Sequence, residues 1–173
     1  MTLANQITLL RIILIPVFII ALIEGSHIWP VLIFTFTIIT DAIDGFVARR
    51  RNEKTKLGSF LDPLADKMLM FASFITLVYL KIIPLWVFVL TISRDVIILA
   101  GWLIIYFITD SLEIKPRLLG KITTIVQMST IWFILIGVPP VIQISLLYLT
   151  AAVTAITGID YIIIGSQKVG QHS

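Results

Sequence analysis

Long apolar segments separated by short polar breaks run along the whole chain. Most of these segments approach the roughly 20 helical residues needed to cross a hydrocarbon core of about 30 Å. The pattern predicts an all-α membrane protein, a bundle of six transmembrane helices. The expected helices cover residues 7–23, 28–47, 59–80, 85–108, 122–136 and 141–164. The third is expected to begin between Ser59 and Pro63, because Asp62 before a proline is typical of a helix start.

The distribution of basic residues predicts the orientation of the helices. Arginine and lysine are dense in segments 49–56 and 110–121, and by the positive-inside rule both loops and both termini face the cytoplasm. Because the net charge of +3 is concentrated in loops, it indicates orientation and no nucleic-acid partner. The absence of cysteine excludes disulfides and thiolate chemistry. No linker separates domains, so residues 1–173 are expected to form one transmembrane domain.

Four aspartates stand in two pairs between residues 41 and 66, and they are Asp41, Asp44, Asp62 and Asp66. Residues three or four apart share a helix face, so each pair can project as a unit from its own helix. One carboxylate near a bilayer centre costs about 2.5 to 3.5 kcal/mol on insertion scales, and four converging anions also repel one another. Divalent cations with oxygen ligands, Mg²⁺ or Mn²⁺, would supply the counter-charge. The stretch predicts a two-metal site, with helix caps or solvated turns as the other interpretation of isolated pairs.

The same stretch reads DxxDGxxAR, then eight residues, then GxxxDxxxD. This pattern resembles the signature of the CDP-alcohol phosphotransferase family, membrane enzymes that make phospholipids. Every fixed position agrees in residue type and spacing, which makes the signal far more specific than a lone glycine motif. The matching residues are Asp41, Asp44, Gly45, Ala48, Arg49, Gly58, Asp62 and Asp66.

The resemblance implies that the substrates are CDP-diacylglycerol and an alcohol, and that the active site opens to the cytoplasmic face. It also implies two Mg²⁺ or Mn²⁺ ions, a homodimer and a location in the bacterial inner membrane. In the family the first three aspartates hold metal, and the last, here Asp66, also acts as the general base that deprotonates the alcohol. Gly45 and Gly58 leave room for a nucleotide to approach the backbone, and Arg49 supplies a cation for phosphate. The candidate nucleotide-binding residues are Gly45, Ala48, Arg49, Gly58, Asn5 and Thr8.

Three further cations are candidates for binding the phosphate of an anionic acceptor, and they are Arg94, Arg117 and Lys121. Arg94 lies inside the fourth expected helix, where a charged residue is by default a functional hypothesis. Its partner could also be Asp95 or a motif aspartate in a structural ion pair. Arg117 and Lys121 are equally well interpreted as anchors at the membrane interface.

The identity of the acceptor rests on finer resemblances. The patterns NxxTxxRxxxxP at 5–16, LDPLADK at 61–67 and GKxxTxxQ at 120–127 resemble phosphatidylglycerophosphate synthases, whose acceptor is sn-glycerol 3-phosphate. A helix cap is the other interpretation of Asn5 and Thr8. The segments SRDVIILAGW and KPRLLGK also resemble cardiolipin synthases, which use CDP-diacylglycerol and phosphatidylglycerol. We favour the first reaction, which yields phosphatidylglycerophosphate and CMP.

A small cation transporter or channel is the hypothesis from another functional class. It would explain acidic residues inside a membrane. It would not explain Gly45, Gly58, Ala48 and Arg49 at fixed spacing from those acids, nor the scarcity of ionisable residues in most of the other helices. The pattern therefore favours an enzyme.

Overall fold

A computed structural model describes the backbone of residues 3–51, 56–109 and 118–170, and the side chains of residues 9–40, 65–101 and 118–164. All secondary structure within this backbone is α-helical, which confirms the prediction of an all-helical protein. The helices are α1 (Leu3–Ile23), α2 (Ile28–Arg51), α3 (Lys56–Tyr79), α4 (Leu85–Thr109), α5 (Leu118–Leu135) and α6 (Pro140–Gly170).

Three helices begin at least three residues earlier than the apolar pattern predicts, and the first of them is α1, which begins at Leu3 and not at residue 7. The predicted start of the third helix at Asp62 is wrong, because α3 begins at Lys56 and Pro63 lies inside it. Helices in apolar surroundings tolerate an internal proline when neighbouring groups satisfy the freed carbonyl. α5 begins at Leu118, so Gly120 and Lys121 lie in its first turn and not in the preceding loop.

Tight turns end α1 and α3 at the predicted breaks. The N–H of Ser26 donates to the carbonyl of Ala21 at 3.2 Å, and that of Gly25, at φ 73°, to the carbonyl of Leu22 at 3.2 Å. The same pair of bonds recurs after α3, where Lys81 has a φ of 60°. This is the Schellman arrangement, in which a residue in the left-handed region satisfies the last carbonyls of a helix.

The described chain divides into two compact units. The first comprises Met1–Ile82 and Ile131–Gly137, and within it α1 packs against both α2 and α3. Phe18 of α1 and Phe34 of α2 are fully buried, with ring centroids 6.0 Å apart. The indole N–H of Trp132 donates to the hydroxyl of Thr35 at 2.9 Å, which ties the 131–137 segment to α2.

The second unit comprises Ile83–Thr130 and Val138–Ser173, and within it α4 packs against α6. Three buried side-chain hydrogen bonds join α5 to α6, and together we call them the threonine seam. The seam consists of Thr123 with Thr157 at 2.6 Å, Gln127 with Thr154 at 3.1 Å, and Thr130 with Thr150 at 2.7 Å. Each helix contributes its residues at spacings of three or four, which lie on one face.

Polar and apolar positions of the described helices are distributed as a lipid environment requires. Buried hydroxyls such as those of Ser73, Thr76 and Thr91 donate to the carbonyl four residues earlier, because hydrocarbon offers no other acceptor. Large apolar side chains point outward on all six helices. Among the described residues, two helical segments are long and apolar enough to span a membrane, Leu118–Leu135 and Pro140–Ile164.

Candidate active site

The helical backbone carries the acidic pattern near the end of α2 and the start of α3. Asp41 and Asp44 fall in the last three turns of α2, while Asp62 and Asp66 fall in the first three turns of α3. Both helices pack against α1 within the first unit. The spacing of three or four residues places each pair on one helix face, as predicted. The side chains of several predicted site residues lie outside the described residues, and these are Asp41, Asp44, Gly45, Ala48, Arg49, Gly58, Asp62, Asn5 and Thr8.

Asp66 is the motif aspartate whose side chain the structure describes. Its Oδ1 accepts a hydrogen bond from Nη1 of Arg11 at 2.9 Å. The Asp66 side chain is 30% exposed, while that of Arg11 is 2% exposed. The buried neighbours Ala65 and Leu69 hold this part of α3 in the core. The predicted base is therefore reachable from outside the unit but bound on one oxygen by a buried cation.

Arg11 is positioned by the apolar face of α1. Ile15 and Phe18, four and seven residues further on, are also buried, so these three residues share the face that points into the unit. The sequence places Arg11 in the NxxTxxR pattern without indicating a partner. The signal in the sequence that could identify Arg11 is the same as for Arg94, a charged residue within an apolar segment.

Arg94 forms a second buried ion pair, in the second unit. Its Nη1 donates to Oδ1 of Asp95 at 2.7 Å, with Arg94 5% exposed and the Asp95 side chain 20% exposed. This confirms the hypothesis that Asp95 pairs with Arg94. Among the described residues, no group accepts a hydrogen bond from its buried Nε–H.

Two glycines lie beside the Arg94 side chain. A Cβ at Gly158 would lie 3.8 Å from Cγ of Arg94, in ordinary contact. A Cβ at Gly120 would lie 3.3 Å from Nη2 of Arg94 and 3.2 Å from the hydroxyl oxygen of Tyr161. The missing side chain at Gly120 thus lets a guanidinium and a phenol approach the start of α5 together. Sequence reasoning did not identify Tyr161, because only the packing of α6 brings it to this point.

The other two predicted phosphate-binding cations are described unequally. Lys121 follows Gly120 in the first turn of α5 and is exposed. Arg117 lies outside the described residues. The structure therefore brings Arg94, Gly120 and Tyr161 together, and a clamp formed by all three predicted cations stays a prediction.

The residues of the acidic pattern fit divalent metal ions in their chemistry. Four aspartates supply the carboxylate oxygens that Mg²⁺ and Mn²⁺ prefer, and the described carboxylate of Asp66 is accessible. The part of the chain with described side chains contains no group of three or more His, Cys, Asp or Glu residues suited to a metal ion. Metal binding at the pattern therefore rests on its donor set.

Comparison with known proteins places the whole pattern in a family. Residues 1–156 match the family described as CDP-alcohol phosphatidyltransferase. The chain is 34% identical to a probable cardiolipin synthase (CMP-forming) of Drosophila melanogaster, over 94% of this chain and 57% of that protein. It is 32% identical to a probable phosphatidylglycerophosphate synthase of Mycobacterium tuberculosis, over 97% of this chain and 83% of that protein.

A third relative matches at nearly full length in both directions. It is a CDP-diacylglycerol–glycerol-3-phosphate 3-phosphatidyltransferase of Bacillus subtilis, 32% identical over 92% of each chain. The family is membrane-bound and generally depends on divalent metal ions. Its sequence signature lies on α2 and α3, where the structure places Asp66 against Arg11. This chain belongs to the CDP-alcohol phosphatidyltransferase family.

Proposed function

We propose that this enzyme transfers the phosphatidyl group of CDP-diacylglycerol to sn-glycerol 3-phosphate, releasing CMP. The observation that carries the choice of acceptor is the environment of Arg94. A buried guanidinium with a phenol beside it suits a compact phosphate monoester, because charge-assisted bonds from arginine to phosphate are strong and directional. The Bacillus subtilis relative, which is named for this reaction, supports the same choice.

Asp66 is the proposed general base. It takes the proton of the acceptor hydroxyl, and the resulting oxygen attacks the phosphorus that carries the diacylglycerol group. The bond from that phosphorus to the bridging oxygen of the pyrophosphate breaks, and CMP leaves with that oxygen. Asp66 can take this role because its carboxylate is 30% exposed and therefore accessible to a substrate.

The remaining acidic residues are proposed metal ligands. Asp41, Asp44 and Asp62, with Asp66, would hold two Mg²⁺ or Mn²⁺ ions, which when bound neutralise charge on the pyrophosphate and orient it. Arg49 would bind a phosphate oxygen. The proposed nucleotide contacts are Gly45, Ala48, Gly58, Asn5 and Thr8.

The acceptor phosphate is assigned to a cluster of cations. Arg94 would bind it directly through donors that Asp95 does not use. Lys121, exposed beside Gly120, and Arg117 would add positive charge. Tyr161 joins this set because its hydroxyl lies beside the same glycine as Nη2 of Arg94.

Cardiolipin synthesis is the second candidate, and the Drosophila relative named for that activity supports it. Its acceptor, phosphatidylglycerol, carries a phosphodiester with one negative charge and two acyl chains. The buried guanidinium of Arg94, with a phenol beside it, suits a dianionic monoester better. Both reactions would use the same aspartates.

The membrane arrangement is also part of the proposal. We infer six transmembrane helices in a single domain, an active site open to the cytoplasm and both termini on that side. The basic residues of segments 49–56 and 110–121 support this orientation. A homodimer in a bacterial inner membrane completes the expected organisation.

The test is release of CMP by purified protein in detergent with CDP-diacylglycerol and Mg²⁺. Glycerol 3-phosphate, phosphatidylglycerol, inositol phosphate and serine are offered in separate reactions. Turnover is expected with glycerol 3-phosphate alone. Turnover with phosphatidylglycerol alone would contradict the proposed acceptor and support the second candidate, while no turnover with any acceptor would contradict both.

Replacement of the proposed base separates the catalytic mechanism from the choice of acceptor. Asp66→Asn removes proton acceptance at nearly constant shape, and loss of general-base catalysis typically costs about 10²- to 10⁴-fold in rate. Glu24→Gln is the matched control, since Glu24 is an exposed carboxylate in the turn after α1, and it should keep wild-type turnover. Asp66→Asn with unchanged CMP release would show that Asp66 is not the base.

A further inference from the structure

The contact between Arg11 and Asp66 joins two helices at the acidic pattern. The two residues are 55 positions apart in the chain, and Nη1 of Arg11 reaches Oδ1 of Asp66 at 2.9 Å. α1 and α3 pack against each other along this contact. Arg11 is therefore a fixed part of the surroundings of the proposed base.

Packing alone does not explain an arginine at this position. Arg11 is 2% exposed and shares its helix face with Ile15 and Phe18. A charge at such depth requires desolvation, and replacing a buried ion pair by apolar residues of similar volume is often neutral or stabilising. An apolar side chain would fill the same space between α1 and α3. The charged pair therefore points to a task for the carboxylate that it holds.

We propose that Arg11 is a positioning residue for catalysis, holding the Asp66 carboxylate in the orientation in which it accepts the proton of the acceptor alcohol. This inference rests on the proposed function, in which Asp66 is the base. Arg11 acts through Asp66 and need not touch either substrate.

The physical reason is the narrow range of productive geometry for proton transfer. A general base must come within about 2.6 to 3.2 Å of the atom that carries the proton, and a misplacement of about 1 Å can cost about a hundredfold in rate. The Asp66 side chain has two rotatable bonds and is partly exposed, so packing alone does not fix its oxygens. A guanidinium anchored in the core holds Oδ1 of Asp66 and thereby restricts the plane of the carboxylate and the direction of Oδ2.

The proposal predicts which kinetic constant changes. Loss of Arg11 should lower kcat while the KM values for both substrates change little, because a misoriented base weakens the transition state and not substrate binding. A residue that binds the acceptor, as proposed for Arg94, should instead act mainly on the KM of the acceptor. Variants of the two buried arginines are thus expected to differ, with kcat lowered at Arg11 and the acceptor KM raised at Arg94.

The experiment compares wild type, Arg11→Gln, Arg11→Lys and the control Thr35→Val, each in detergent with CDP-diacylglycerol, glycerol 3-phosphate and Mg²⁺. Thr35→Val removes another side-chain hydrogen bond of the first unit, the one from Trp132, and should keep kcat within about threefold, because this neutral bond does not involve a proposed site residue. Arg11→Gln should lose about a hundredfold in kcat. Arg11→Lys, which keeps the charge but not the planar fork, should fall between the two. Thermal unfolding and gel filtration of each variant establish that folded protein is compared.

Several outcomes would overturn the positioning role. The first is a kcat for Arg11→Gln within about threefold of wild type, which is the limit expected for the control. The second is a change in KM without a change in kcat. The third is a fall in kcat no larger than that of Thr35→Val. If Arg11→Gln does not fold, Arg11→Lys decides, and a kcat no lower than that of Thr35→Val overturns the proposal. Failure of the proposed base is distinguishable, because Asp66→Asn would then keep its turnover whatever Arg11 does.

Discussion

Two buried arginines, each paired with an aspartate, stand in the two units of this protein, yet their pairs differ in kind. Arg11 reaches across from α1 to Asp66 on α3, 55 residues away. Arg94 pairs with Asp95, its neighbour on the same helix. A contact between helices restrains the carboxylate, whereas a contact between adjacent residues restrains mainly the arginine. The two pairs therefore suit different proposed roles, a catalytic base for Asp66 and an anion site for Arg94.

The surroundings of the two guanidinium groups sharpen this difference. Arg11 lies among apolar side chains of α1. Arg94 lies against Gly158 and faces the space beside Gly120, where the hydroxyl of Tyr161 also points. Apolar neighbours hold a side chain in place, while the missing side chain at Gly120 and the nearby phenol suit the proposed anion site. The comparison predicts that changes around Arg94 act on acceptor affinity.

The largest expected effect at this second pair comes from Arg94→Gln. A hydrogen bond to a charged group contributes about 1.5 to 3 kcal/mol, so the KM for glycerol 3-phosphate should rise by about ten- to a hundredfold. The KM for CDP-diacylglycerol should stay near that of wild type. Initial rates of CMP release at varied acceptor concentration measure both constants. A fall in kcat of Arg94→Gln without a change in the acceptor KM would contradict the different roles proposed for the two arginines.

A smaller effect is expected from Gly120→Ala. The added methyl group would stand 3.2 Å from the Tyr161 hydroxyl oxygen and 3.3 Å from Nη2 of Arg94, so both groups must shift by a few tenths of an ångström. We expect the acceptor KM to rise by up to about tenfold, less than for the loss of a charged hydrogen bond.

Gly158→Ala is the matched control for this substitution, since its Cβ would meet Arg94 at an ordinary 3.8 Å. It should leave the acceptor KM near that of wild type in the same titration. Equal effects of the two alanines would mean that the space beside Gly120 has no special role.

The smallest effect is expected from Tyr161→Phe, which removes one neutral donor. A typical neutral hydrogen bond contributes about 0.5 to 1.5 kcal/mol, which corresponds to a rise of about two- to tenfold in the acceptor KM. Tyr148→Phe is the control, because Tyr148 is exposed and contacts the ring of Trp86. An unchanged KM in Tyr161→Phe would remove this residue from the acceptor site.

Much of the helical framework could be predicted because each helix is long, apolar and bounded by polar or glycine-containing breaks. The break at Gly25 ends its helix as expected, through a residue at positive φ. The start of α3 could not be predicted, because the apolar pattern begins after Gly58 while the backbone is already helical at Lys56. The apolar pattern therefore predicts which segments are helical better than it predicts the residues at which those helices begin.

The candidate site likewise has a part that the sequence predicts and a part that depends on helix packing. The aspartates of α2 and α3 are close in sequence and follow a fixed spacing, so their pattern is readable without a fold. Pairing of Arg11 with Asp66 depends on the packing of α1 against α3, and the place of Tyr161 depends on how α6 is rotated towards α5. Contacts between distant helices leave little trace in a single sequence.

The threonine seam sets that rotation. Its three hydrogen bonds lie along α5 and α6, and the bond between Thr123 and Thr157 is one helical turn from both Gly120 and Tyr161. A turn of α6 by one residue, about 100°, would break all three at once. Removing a single one costs only about 0.6 kcal/mol on average in a membrane. The seam thus fixes the rotation of α6 about its axis through three hydrogen bonds together. Loss of any one bond should leave α6 at the angle that brings Tyr161 to Gly120.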